Sequence, residues 1–399
     1  MTALRRLAGS EATAEGWSEA WRQRWSASEV LLLLAATDTA AVEGISAAGA
    51  TPVSRRQTAA ADAELLALGP AAARPHALPP LPAGVTPALI SQVALEGLGL
   101  QPLLLDLGCP VAPAVPHLRL PYPAGVGAAR CLSSGAAMTR QRVEALLALG
   151  RRWGERLAAA GRPLVLAECV PGGTTTAQGV LTGLGLEVGG LVSGSLRRAA
   201  HALKADLVAR GLAAAQLDRL AAADHRGGQA DGPSPEVACR AMAAFGDPMQ
   251  PLAAALVLAA TAAEPPLPVL LAGGSQMAAV LALALALAPP EQRPPLTAAT
   301  AVATTAWVAG EADSDLVLLL QRIGERWGVA PLAFAADLRF VEGCHPALLD
   351  YERGYVKEGV GAGGLALLWQ LSGRSPEALA AACDRACRSL LGSPGQTGV

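Results

Sequence analysis

The chain has 399 residues, a formal net charge of −2 and 52% hydrophobic residues. That is ample to bury a large core, and the near-neutral charge offers no polybasic surface for nucleic acid or anionic lipid. The length would fill two or three average domains, but one large α/β domain absorbs it equally well.

Met1 to Arg24 shows no apolar run followed by a cleavage site, so no secretory signal is expected and the chain reads as cytoplasmic. Residues 10–28 read as a helix on which Trp17, Trp21 and Trp25 recur at i, i+4 and i+8. That indole face suits packing on the main body, or on a second subunit, better than a base-stacking platform. We assign 1–28 to an N-terminal helical segment (a subdomain or dimer contact), 29–391 to an α/β domain and 392–399 to a flexible tail.

The apolar run from Glu29 to Ala36 has strand length and ends in Thr37-Asp38-Thr39. Gly44 to Thr51 then leads into a helical pattern from Pro52 to about Leu68. Pro79-Pro80-Leu81-Pro82, within a Pro-rich connection from Ala71 to Pro87, excludes regular helix and central strand. It is an extended linker or an ordered pocket wall. Pro102 to Leu107 is a second buried strand, and another Pro-rich stretch runs to Pro123. Thr139 caps a helix to Ala159. Leu164 to Ala167 is a strand, Glu168 to Thr176 its loop, and a helix begins at Ala177. The polar, Gly-rich stretch from Asp224 to Pro235 reads as a flexible loop. A helix from Leu252, a strand at Pro268–Ala272, Gly273-Gly-Ser-Gln276 and a helix from Met277 follow. Met277 to Ala288 is the most apolar stretch, but Pro289-Pro290 closes it short of the roughly 20 residues of a membrane span. Ala298–Val308 reads as strand, Asp313–Trp327 and Arg374–Leu391 as helices. Repeated strand–loop–helix units with unbroken apolar strands predict an α/β fold: a mostly parallel, doubly wound, Rossmann-like sheet with helices on both faces and a small helical subdomain. Ligands in such sheets sit beyond the carboxyl ends of the strands.

The seven cysteines are scattered and form no C-x-x-C zinc pattern. Cys383 and Cys387, one helical turn apart, read as two small residues on a helix rather than a redox or metal pair, and reduced thiols are expected. Of the 31 Lys and Arg residues only Lys204 and Lys357 are lysines, which hints that a compact ammonium matters at each.

Four loops are candidates for chemistry. In Glu168-Cys-Val-Pro-Gly-Gly-Thr-Thr-Thr176, Gly172 and Gly173 permit close backbone approach just where a helix begins, and Thr174, Thr175 and Thr176 supply hydroxyls. A phosphate suits such a helix N-terminus, although a plain helix cap has the same look. Neither a Walker loop nor G-x-G-x-x-G is present. In Lys357-Glu-Gly-Val-Gly-Ala-Gly-Gly364, glycines such as Gly359 and Gly361 let the backbone wrap a ligand, with Glu358 as a base and Lys357 as its neighbour; the bland reading is a turn before the helix near Leu365. Lys204, one turn after His201, is by itself an ordinary solvated lysine. Gly246-Asp-Pro-Met-Gln250 and the turn at Gly273 and Gly274 read as connections or ligand contacts.

These segments, in order from about residue 30 to 372, resemble the nicotinate-nucleotide:dimethylbenzimidazole phosphoribosyltransferases. Ala137-Met-Thr-Arg140 and Glu168 through Thr176 resemble that family's Ala-Met-Thr-Arg and Gly-Glu-Met-Gly-Ile-Gly-Asn-Thr-Thr. Pro268-Val-Leu-Leu-Ala-Gly-Gly274 and Lys357-Glu-Gly-Val-Gly361 resemble its Pro-Val-Leu-Leu-Asp-Gly-Phe and Leu-Gly-Glu-Gly-Thr-Gly. The likeness is closer still to an uncharacterised archaeal and cyanobacterial branch that shares Gly44–Thr51, Gly246–Gln250 and Val356–Gly364 nearly verbatim. Departures fall at Ala167, Val170-Pro171, Thr174, Ala272 and after Asp38, so the phosphate end is better kept than the base end.

The resemblance implies transfer of ribose 5-phosphate from nicotinate mononucleotide to a benzimidazole or adenine, for cobamide nucleotide-loop assembly. It implies Glu358 as general base and Glu168, Gly172, Gly173, Thr174, Thr175, Thr176 and Lys204 around the phosphate and ribose. Asp38, Gly273, Gly274, Lys357, Gly359 and Gly361 would form the base pocket or its loops. It further implies a homodimer with small-molecule substrates and neither metal nor cofactor. The alternative is a nucleotide-binding paralogue without turnover, a sensor or partner in corrinoid metabolism.

Overall fold

The computed structural model describes residues 4–216 and 233–392. Most of the polar stretch after Asp224 and the tail from 393 lie outside the described residues. Eight strands form one sheet in the order β1-β8-β7-β6-β5-β2-β3-β4. In chain order they are β1 (Arg5–Ala8), β2 (Glu29–Leu34), β3 (Pro102–Asp106), β4 (Leu118–Arg119), β5 (Leu164–Cys169), β6 (Val269–Ala272), β7 (Thr300–Thr305) and β8 (Leu332–Ala336). Every neighbouring pair is parallel except β1 with β8.

The unbroken apolar runs follow from burial on both faces. Val30, Leu32 and Leu34 of β2 enter one core, while Leu31 and Leu33 enter the other. β5 divides the same way, with Val165 and Ala167 opposite Leu164 and Leu166. The apolar Met277 run lies in the helix Ser275–Leu287, almost wholly buried. Among the described residues no helix is long and apolar enough to cross a membrane.

The first 28 residues are not helical throughout. Arg5–Ala8 adds the antiparallel edge strand, a pattern of two exposed arginines that no apolar alternation announces. The indole face packs on its own chain. Trp17 stacks on Phe334 of β8 with ring centroids 5.3 Å apart, and its Nε1 donates to the Ala299 carbonyl at 3.2 Å. Trp21 is fully buried beside it. Cys383 and Cys387 are buried on the last helix, Pro376–Leu391, and every cysteine is a free thiol.

From β2 the chain steps to β3 and β4 on one side, then crosses back to β5 on the other. This reversal opens a crevice at the carboxyl ends of β2 and β5, where ligands collect in open α/β sheets. The Pro-rich connection before Ala88 is an ordered wall of that crevice. Glu64 holds the His76 N–H at 2.8 Å, Asp350 holds the Gly84 N–H at 2.9 Å, and the Tyr351 hydroxyl donates to the Val85 carbonyl at 2.8 Å.

Candidate active site

A cleft of about 290 Å³ occupies the crevice. One wall runs from the end of β5 through the turn that follows it into the next helix, Glu168 to Thr174. The helix of this turn starts at Gly173, four residues earlier than its apolar pattern suggests. Gly172 sits at φ +81°, and a Cβ there would lie 3.0 Å from the Ala40 nitrogen, so glycine is required. Of the three threonines only Thr174 lines the cleft. Thr175 and Thr176 are fully buried, and the Thr176 hydroxyl donates to Asp247 at 2.6 Å. Gly246–Gln250 is therefore neither a plain connection nor a ligand contact. Its Asp247 carboxylate, fully buried, anchors the Gly172–Thr176 turn from behind. Burial pushes the Asp247 carboxyl up to about 6 even though Thr176 and backbone N–H groups hold it.

Glu168 and Glu358 both line the cleft. The Glu168 carboxylate accepts from the Val170 N–H at 2.9 Å and from Gln276 Nε2 at 2.9 Å. Burial, reinforced by Asp247 and Glu358, pushes its pKa well above the usual carboxylate range. Glu358 accepts four hydrogen bonds. The Thr304 hydroxyl and Thr305 N–H reach Oε2 at 2.9 Å each, and the Gly359 and Gly363 N–H groups reach Oε1 at 3.1 Å each. Burial raises its pKa, and these four donors oppose the rise.

The segment carrying Glu358 is backbone-strained. Val356, Lys357 and Val360 have φ of +65°, +61° and +54°, a region that costs a non-glycine residue about 1–3 kcal/mol. Long-range bonds hold it: the Thr305 hydroxyl donates to the Lys357 carbonyl at 2.6 Å, and the Ser91 hydroxyl donates to the Val360 carbonyl at 2.8 Å. Gly359 and Gly274 line the cleft. Gly273 and Gly361 stand behind it, against Met277 and Ala167 respectively.

Three expected residues lie elsewhere. Asp38 is half exposed, 3.9 Å from Arg56, and borders a separate small cavity of about 20 Å³ beyond Pro171. It has no place in a base pocket within this cleft. Lys357 does not orient Glu358. Its buried ammonium pairs with Glu311 and donates to the Leu196 carbonyl at 2.8 Å. Lys204 is not a solvated lysine. It is fully buried and donates to the Ser193 carbonyl at 2.6 Å, so it braces the Ser193–Ser195 wall from behind. Burial lowers its pKa to about 7, against the pull of Glu311.

Sequence reasoning missed Ser193-Gly-Ser195, Asp62, Thr58 and Thr86, all on the cleft wall. The chain folds them in from distant segments, and none stands in a motif. Together the cleft offers a glycine turn at a helix N-terminus, small polar groups beside it, the buried carboxylates of Glu168 and Asp62, the half-buried carboxylate of Glu358 and an apolar wall of Leu78, Pro79 and Leu81. That set can grip an anion at one end, house an aromatic ring at the other and accept a proton between them.

No family model matches the chain. A UPF0284 protein of Prochlorococcus marinus (strain MIT 9313) is 52% identical over 390 residues, 96% of this chain and 92% of the relative. Another, of Parasynechococcus marenigrum (strain WH8102), is 50% identical over 380 residues, 94% and 90% of the two chains. CobT from Thermus thermophilus superposes with a TM-score of 0.51 at 21% identity, covering 96% of this chain and 92% of that one. A structure of the nicotinate-nucleotide-dimethylbenzimidazole phosphoribosyltransferase from the same organism gives 0.52 at the same identity and coverage. At that identity the likeness is one of fold.

Proposed function

The chain belongs to the UPF0284 family, and from that premise, its CobT-like fold and its cleft, we propose that it is a phosphoribosyltransferase. In this reading it moves the ribose 5-phosphate of nicotinate mononucleotide to a nitrogen of an aromatic base, giving an α-riboside phosphate for cobamide nucleotide-loop assembly. The observation that carries the reading is the cleft itself: the glycine turn Gly172–Thr174 and the carboxylates of Glu168 and Glu358 face one cavity at the switch point of the sheet.

The ring nitrogen of the base attacks the anomeric carbon as the bond to nicotinate breaks. The electron pair of that bond neutralises the pyridinium, so departure needs neither an acid nor a metal. The proton shed by the attacking base goes to Glu358, help worth about 10²–10⁴-fold. Holding both partners in line supplies roughly 7–11 kcal/mol, the larger share. The phosphate lies on Gly172, Gly173 and Thr174, with Lys204 acting through the Ser193–Ser195 wall. Glu168 meets the ribose. We place the reaction in the cytoplasm and its working unit as a homodimer.

A second reading is a nucleotide-binding protein without turnover. It is favoured by the Glu358 carboxylate, whose four acceptor positions are already taken. Incubating the pure protein with nicotinate mononucleotide and a panel of benzimidazoles and purines decides between them. Chromatographic release of nicotinate with at least one base is the expected result. Tight mononucleotide binding with no release for any base would overturn the transferase reading.

A further inference from the structure

The proposed transfer leaves one carboxylate on the cleft wall unused. Asp62 lies on the helix Pro52–Leu68, one turn after Thr58, and both line the cleft. It is only 3% exposed. Its Oδ1 accepts from the Thr86 hydroxyl at 2.7 Å and its Oδ2 from the Cys169 thiol at 3.5 Å. A carboxylate has about four acceptor positions, so one on each oxygen stays open. Glu358, by contrast, has none open.

The surroundings make that openness costly. Leu78, Leu81 and Val85 of the Pro-rich wall line the same cavity. A buried carboxylate there is stable only when donors satisfy it, and the chain supplies one strong donor and one weak one. A hydrocarbon-edged ligand would leave the deficit in place. A keto oxygen would oppose acceptor to acceptor. An N–H edge fits.

We propose that Asp62 selects the acceptor, so that the cleft takes a planar heteroaromatic base whose amino group donates to this carboxylate. The inference rests on the reading of the cleft as an acceptor-base site. Burial holds the Asp62 carboxyl at about 6, so it is mainly ionised at neutral pH and accepts rather than donates.

Calorimetric binding of adenine, purine and hypoxanthine to the full chain tests this. Adenine should bind roughly tenfold or more tightly than purine, the worth of a hydrogen bond to a charged group, and hypoxanthine, which has a keto oxygen in place of the amino group, should bind more weakly than adenine. Asp62→Asn keeps the size and an acceptor for Thr86, and should bring adenine to within about threefold of purine. Adenine binding no tighter than purine to the unmodified protein overturns the assignment without any variant. So does a folded Asp62→Asn protein that keeps the full adenine preference. Nicotinate release, followed in parallel, separates the two claims. Release with dimethylbenzimidazole but no adenine preference sinks the Asp62 assignment and leaves the transferase. Adenine preference with no release supports Asp62 as an amino-group reader and sinks the transfer.

Discussion

The Val360 N–H donates to the Glu168 carbonyl at 3.0 Å, tying the segment that carries Glu358 to the end of β5. The next residue makes this approach possible. Gly361 has φ +78°, and a Cβ there would lie 2.6 Å from the Ala167 Cβ. Gly361→Ala combines left-handed strain of about 1–2 kcal/mol with overpacking of about 1–3 kcal/mol. We expect a loss of roughly 2–5 kcal/mol in denaturant unfolding and a fall in any activity larger than the stability loss explains. A variant as stable as the parent would show that the two segments tolerate separation.

The two carboxylates respond differently to amidation. All four groups around Glu358 are donors, so Glu358→Gln must turn its amide N–H₂ toward two of them. That mismatch should lower stability by about 1–3 kcal/mol. Glu168→Gln has an escape. Gln276 Oε1 has no partner, and rotating that amide lets it accept from the new side chain. Glu168→Gln also removes a buried carboxylate, so its melting temperature should match or exceed the parent's. In the transfer assay Glu358→Gln should lose at least about 100-fold in nicotinate release while holding the mononucleotide within about threefold. If Glu168→Gln carries that loss instead, Glu168 is the base.

Much of this was legible in the sequence, for reasons of burial. Strands buried on both faces read as unbroken apolar runs, so β2, β3, β5 and β6 announced themselves, and so did the two glycine loops. β1 and β4 sit at the edges, exposed and polar, and carry no such signal; β8 is fully buried, but its alanine-rich Leu-Ala-Phe-Ala-Ala run is too weak a strand signal to read. Asp62 and Ser193–Ser195 belong to the cleft only through tertiary folding. Side-chain direction was the other blind spot. Lys357 stands next to Glu358 in sequence, yet its left-handed backbone sends the ammonium to Glu311.

If the cleft takes an anion, Lys204 should make that binding proton-linked. Burial holds its ammonium at about 7, so at pH 8 the amine is mostly neutral. An anion on the Ser193–Ser195 side of the cleft favours the charged form, so binding should draw a proton onto the lysine. Calorimetry of nicotinate mononucleotide at pH 8, in buffers of different ionisation enthalpy, should show uptake approaching one proton. Below about pH 6 the uptake should vanish, because the lysine is already charged. Lys204→Met should abolish the pH 8 signal, and an unchanged signal would mean that the anion does not sense this residue.

The same buried groups shape the stability of the ligand-free protein. Asp62 and Asp247 are held at about 6 in the fold, above their ordinary value near 4, so the folded state binds more protons between those pH values. Their contribution to stability is therefore greatest near pH 4 and is lost as pH rises through about 6. Glu168, raised further, extends the fall. Lys204 acts in the opposite sense. Its folded value of about 7 lies below the usual 10.5, so the unfolded chain binds the extra proton and stability climbs from pH 7 upward. Melting temperature plotted against pH should pass through a shallow minimum near neutrality. Asp247→Asn should flatten the acidic side alone, and Lys204→Met the alkaline side alone. A monotonic profile that neither variant alters would mean that these groups are solvated in the folded chain, and the buried architecture of the cleft would have to be redrawn.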